Sequence, residues 1–86
     1  MVTMRIYSVK KHGLPPPDFN DPGRVAFICD GSIYSGWPVK DELEPGEDPA
    51  EVFWEQADYN VEFYGITHWV LFSKPLFKIK DSDVEP

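Results

Sequence analysis

The sequence predicts an α+β domain in which a small antiparallel sheet of three to five strands packs on one amphipathic helix near residues 49–58. Three observations carry this. β-branched and aromatic residues gather in short runs bounded by Gly, Pro and Asp, the composition of strands and turns. Two of those runs flank Asp30-Gly31, the dipeptide that most readily supplies the two positive φ angles of a type I′ hairpin turn. A third stretch, from Asp48 to Asp58, changes to helical spacing behind a helix-start signal. With 86 residues the chain reads as a single domain, 1–86, near the size at which one core only just outweighs chain entropy. Its three Trp, four Tyr and six Phe must therefore supply much of the packing.

The elements follow in order. "TMRIYSVK" is a first strand, ending at Lys10 and Lys11. "HGLPPPDFNDPG" holds four prolines and two glycines, which withhold ladder donors and make it a loop. In "RVAFICDGSIYSGW" the run Val25 to Cys29 is apolar on both faces and belongs in the sheet centre. The run after the turn, with Ile33, Ser35 and Trp37 on one face and Tyr34 on the other, lies nearer an edge. Asp48 as N-cap, Pro49 at the first helical position and Glu51 as capping-box partner start the helix. Ala50, Phe53, Trp54 and Ala57 form its buried stripe. "VEFYGITHWVLF", 61–72, reads as one long strand with a bulge at Gly65. Pro75 breaks its pairing, "LFKIK" adds a short edge piece, and 81–86 is a frayed acidic tail.

Within "GITHWVLF", strand alternation puts His68 with Ile66 and Val70, and Trp69 with Thr67 and Leu71, on two largely apolar faces. His68 and Trp69 are accordingly expected in the core, with Phe27, Trp37, Phe53 and Trp54. No catalytic residue is assigned. "GSIYSG" has the wrong spacing for a nucleophile elbow, and phosphate-loop, H-E-x-x-H and C-x-x-C motifs are lacking. Cys29 with His12 or His68 would make a Cys/His pair only if the fold assembled them, and a zinc site from Cys29, Asp30, His12 and His68 lacks paired ligand spacing. No cofactor or metal is expected. A lone cysteine allows no internal disulfide and suits a reducing compartment. With no apolar run of membrane-spanning length, the expectation is a cytoplasmic, soluble protein without membrane contact.

The charge is unevenly placed. Between Asp41 and Asp58 stand eight acids and no Lys or Arg, against seven acids and eight bases elsewhere, so the net charge of −7 sits in one block. Such a field disfavours nucleic acid and favours basic surfaces. The candidate partner-binding residues are Asp41, Glu42, Glu44, Glu47, Glu51, Glu55 and Asp58; the plainer reading of the same block is solubilising charge. An apolar face on the last long strand, or the edge after Trp37, can pair two chains into a homodimer.

The order of three blocks, "VKKHGLPPP", "VAFICDGSIYSGW" and "ITHWVLFSKPL", resembles a family of small bacteriophage and prophage proteins of unknown function. Those proteins share an L-P-P segment, a D-G-x-I-x-x-G-x-W hairpin and a T-H-W ending. The match covers about half the chain; Tyr7 stands where the family often has Trp, and Val70 and Phe72 to Lys74 depart from its usual ending. The resemblance implies a phage origin and a β-rich fold, and carries no catalytic residues across. Joined to the acidic block, it suggests a phage-encoded inhibitor that docks on a basic surface of a host nucleic-acid machine, such as a CRISPR effector, a restriction enzyme or RNA polymerase. The alternative is a phage accessory domain that binds a small ligand or virion component, or a small enzyme, whose acidity serves solubility.

Overall fold

Asp30 and Gly31 adopt φ of 50° and 80°, the paired positive values of a tight hairpin turn, and join β2 (Val25–Cys29) to β3 (Ser32–Pro38) with Cys29 opposite Ser32. In the computed structural model, which describes residues 2–16, 23–57, 61–75 and 78–84, this hairpin is the middle of a six-stranded sheet. The other strands are β1 (Met4–Ser8), β4 (Trp54–Gln56), β5 (Glu62–Phe63) and β6 (His68–Phe72). Every neighbouring pair is antiparallel, in the order β1-β6-β2-β3-β4-β5. β1 passes directly into a four-residue helix, α1 (Val9–His12), which Ser8 caps by accepting from the Lys11 N–H.

The core lies on one face. Tyr7, Trp69, Phe27 and Tyr34 stand opposite one another across four strands, and farther along the same face Pro38, Trp54 and Phe63 continue the row. Tyr7 stacks on Trp69 at 4.4 Å and 17°; the Phe27 ring meets Tyr34, Trp54 and Phe63 at 5.7, 5.5 and 5.2 Å. Val9 of α1, Leu14 and Pro15 of the proline-rich loop, Val52 and Ile66 close over these rings and are themselves buried. The Trp69 Nε1 donates to the Gly13 carbonyl at 3.0 Å, tying that loop down.

The helix expected over 49–58 is absent. Asp48 does accept from the Ala50 N–H at 3.0 Å with Pro49 behind it, but the result is one 3-10 turn, Pro49–Glu51, before the chain extends into β4. A ten-residue helix is too short to stand without packing, and Val52, Phe53 and Trp54 favour an extended chain. Extension also buries Trp54 completely against Phe27, where helical spacing would make it share a stripe with Phe53. What admits β4 is Gly36: a Cβ there would overlap the Glu55 carbonyl oxygen and stand 2.8 Å from the Phe27 ring. The fold is thus a largely β domain and not a sheet resting on a helix.

Further corrections follow from the topology. The single strand read over 61–72 is two, at separate places in the sheet, because Gly65 turns at φ 72° and the intervening residues are irregular. The expected six-residue core set divides: Phe27, Trp54 and Trp69 are buried, Trp37 and Phe53 are half-buried, and His68 is exposed on the opposite face. Of "LFKIK", 76–77 lie outside the described residues and 78–80 form no strand. The tail is not simply frayed, since Asp81–Asp83 make a 3-10 turn held by Lys74 Nζ to Asp83 Oδ2 at 2.7 Å; residues 85–86 lie outside the described set. The edge after Trp37, expected as one surface that could pair two chains, is covered by β4.

Candidate functional site

The loop from β3 to β4 uses some of its acids to build itself. Glu44, Pro45, Gly46 and Glu47 form a tight turn in which Gly46 has φ 82° and the Glu47 N–H donates to the Glu44 carbonyl at 3.0 Å. The Glu47 carboxylate then takes both its contacts with Lys40 Nζ, at 2.8 and 2.7 Å, and accepts from the Glu44 N–H at 3.0 Å. The Lys40 hydrogen bond, followed by that backbone donor, holds the Glu47 carboxyl below its ordinary value, and the same bond raises the Lys40 ammonium. Asp48 is occupied in the 3-10 turn. Two members of the acidic block are therefore structural.

Four of the others present charge to solvent. Asp41, Glu42, Glu44 and Glu51 are exposed; Glu55 is half-buried on β4; Asp58 lies outside the described residues. Glu62, outside the expected set, joins them, because β5 places it directly opposite Glu55. Two like charges directly opposite on neighbouring strands repel, a local cost. Glu62 also accepts from the Tyr64 hydroxyl at 3.2 Å, which raises the phenol above its ordinary value. The signal for Glu62 in the sequence is its alternation with Phe63, which places it on the face away from the core without showing that Glu55 stands opposite it.

On the sheet face opposite the core, Trp37, Glu55 and Glu62 stand in one cross-strand row. Phe53 and Tyr64 meet ring to ring at 5.9 Å, and Tyr64 and Val39 are 56% and 51% exposed. This part of the sheet thus sets carboxylates beside partly exposed aromatic and apolar groups.

Two clefts lie elsewhere. One, of about 410 Å³, opens between α1, the 3-10 turn and the segment before β6; Val9, Pro49, Ala50 and Ile66 give it apolar walls, with Lys10, Asp48 and His68 at its lining. There the His68 Nδ1 lies 2.8 Å from the Thr67 hydroxyl. The other, of about 370 Å³, includes Arg5, Tyr7, Arg24 and Ser73, and the Arg24 Nε donates to the Phe72 carbonyl at 3.2 Å.

Cys29 and His68 are not brought together. Cys29 lies on the core face with Phe27, half-buried, and burial above all, then the neighbouring Asp30 charge, raises its thiol; His68 is on the open face opposite Ile28. His12 accepts from the Ser8 N–H at 3.3 Å through Nδ1. Among the described residues no three His, Cys, Asp or Glu side chains gather as a metal site, and no helix is long and apolar enough to cross a membrane. Compared with protein-family models, curated proteins and solved structures, the chain matches none.

Proposed function

We propose that this chain is a protein-interaction module whose acidic, aromatic-bearing end docks on a basic surface of a macromolecular partner. The observation that carries the reading is the exposure of Asp41, Glu42, Glu44 and Glu51 in the segment that joins β3 to β4, together with exposed Glu62 in a row with Glu55 and Trp37 and exposed Tyr64 against Phe53. Long-range attraction from the carboxylates raises the encounter rate, and desolvation of the aromatics supplies short-range affinity. The finer reading is an inhibitor of a host nucleic-acid-binding machine, encoded by a phage and acting by occupying the basic groove that nucleic acid would fill. It rests on the charge together with the three-block resemblance.

The test is charge reversal. Asp41, Glu42, Glu44 and Glu51 changed together to Lys should leave the melt close to wild type, since exposed substitutions usually cost within about 0.5 kcal/mol each. Binding to a basic nucleic-acid-binding complex should fall by orders of magnitude, association slowing first, and wild-type affinity should drop steeply with added salt. A folded variant with undiminished inhibition and salt-insensitive binding would exclude acidic docking. The cleft of about 410 Å³ favours a second reading, an accessory domain for a small ligand with an apolar body. Under that reading Ala50→Trp, which narrows the cleft from an exposed part of its wall, abolishes activity with the melt unchanged, while the Lys variant keeps activity.

A further inference from the structure

Among the described residues the sheet has two edge strands, β1 and the two-residue β5. β1 is an edge strand, and the bonds at either side of it define which of its backbone groups face outward. The Ser73 N–H donates to the Thr3 carbonyl at 2.8 Å and the Val9 N–H to the Thr67 carbonyl at 2.9 Å, with Arg5 opposite Leu71 and Tyr7 opposite Trp69. Antiparallel strands alternate, so Thr3, Arg5, Tyr7 and Val9 turn their backbone groups to β6, and Met4, Ile6 and Ser8 turn theirs away from it. The side chains of Met4 and Ile6 are 54% and 58% exposed. An edge carrying unpaired backbone and exposed apolar side chains is a template for another strand.

We propose that this edge pairs with the same edge of a second copy, in an antiparallel two-fold dimer centred on Ile6. Self-pairing fits because only one register uses the whole strand well. Centring on Arg5 would set two guanidinium groups face to face, which cross-strand pairing penalises. Centring on Ile6 lets the two Ile6 residues exchange both backbone bonds across the axis and sets each Arg5 beside the Tyr7 ring of the other copy, a favourable cation–aromatic pair. The Ser8 N–H then reaches the other copy's Met4 carbonyl, leaving a bond to His12 that is long at 3.3 Å. Arg5 is the one charged residue of β1, whereas Glu55 and Glu62 stand on β4 and β5, so joining two copies of net charge −7 through β1 does not pair those carboxylates with each other. A head-to-tail join onto β5 would rest on a strand of two residues and would propagate without closing. The dimer also leaves both acidic ends free, so the proposal does not depend on the function assigned to them.

Sedimentation equilibrium of the full chain tests it. An interface of this size belongs to the weak class, and the wild type should show a monomer–dimer equilibrium with Kd on the order of 10–100 µM. Ile6→Pro removes an N–H that faces outward, which an edge strand tolerates, and should raise Kd at least tenfold with the circular dichroism of the monomer unchanged. Ile6→Lys keeps the backbone donor but sets two cations on the axis, and should do the same. A wild type that stays monomeric at about 1 mM overturns the proposal, as does a dimer that withstands both substitutions or a mass that keeps growing with concentration.

Discussion

Trp69 and His68 are neighbours in sequence on opposite faces of β6, and truncating each in turn separates core from surface. Trp69 is 2% exposed, stacked on Tyr7 at 4.4 Å, opposite Phe27, and bonded through Nε1 to the Gly13 carbonyl. Trp69→Ala removes the largest ring contact between β1, β6 and β2 and leaves the proline-rich loop untied. A core aromatic truncation costs about 3–5 kcal/mol. A domain of 86 residues unfolds with an entropy near 0.18 kcal/mol/K, so each kcal/mol moves Tm by about 5–6 °C and the variant should melt about 15–30 °C lower. Against a total stability of roughly 4–13 kcal/mol for this length, that leaves a marginal fold. Trp69→Phe keeps most of the stacking and loses the bond to Gly13, an expected cost of about 1–2 kcal/mol. His68→Ala, exposed and bonded only to Thr67 among the described residues, should stay within about 0.5 kcal/mol. Urea unfolding of the four proteins, followed by tryptophan fluorescence and circular dichroism together, measures the differences. If Trp69→Ala lies within about 1 kcal/mol of wild type, or His68→Ala matches it, the assignment of the two faces is wrong.

Gly36→Ala should destabilise by about 1–3 kcal/mol or detach β4, because the added methyl meets the Glu55 carbonyl and the Phe27 ring; hydrogen exchange at the Val39 and Ala57 amides, which donate across the β3–β4 seam to Phe53 and Ser35, would accelerate, and unaltered protection there would refute the close approach. Asp83 titrates at about 2, below its ordinary 3.8, chiefly through the Lys74 hydrogen bond and then the Lys80 N–H. A depressed folded-state value stabilises the tail contact fully above pH 3.8 and loses it as pH falls toward 2, so the Asp83 carboxyl resonance should show its midpoint near 2 and Lys74→Met should move that midpoint upward.

How much of this molecule the sequence discloses depends on whether the deciding contact is local. The Asp30-Gly31 hairpin is legible because the turn itself demands positive φ, and Asp30 and Gly31 supply it without reference to anything distant. The Asp48-Pro49 signal is equally local and equally real, and it produces the 3-10 turn it can produce alone. Its continuation into a helix depended on a competitor far along the chain, the open edge of β3, which Gly36 makes accessible and which Trp54 and Phe63 reward with ring contacts to Phe27. Gly36 inside a β-rich run was a visible mark of close backbone approach, though not of which segment approaches. The same limit governs "VEFYGITHWVLF": alternation is continuous through it, and only the pairing of β5 with β4 and of β6 with β1 and β2 shows that Gly65 ends one strand before another begins.

The candidate site follows that logic one level up. Net charge along the chain is legible, but which carboxylates remain available is decided by what the loop spends on its own structure, and Lys40 and the Ala50 N–H take Glu47 and Asp48. Conversely, Glu62 becomes part of the acidic end only because β4 is a strand for β5 to pair with. Had residues 49–58 been helical, Glu51 and Glu55 would have lined a helix flank one turn apart; in the sheet Glu55 instead shares a row with Trp37 and Glu62. Under the proposed docking function, a sheet face in place of a helix flank presents this charge beside aromatic side chains instead of along a rod. Glu62→Lys, which turns the Glu55 repulsion into an attraction, should therefore hold or raise the melting temperature while weakening a basic partner, and a variant that lost both together would place Glu62 in the fold and not in the docking surface.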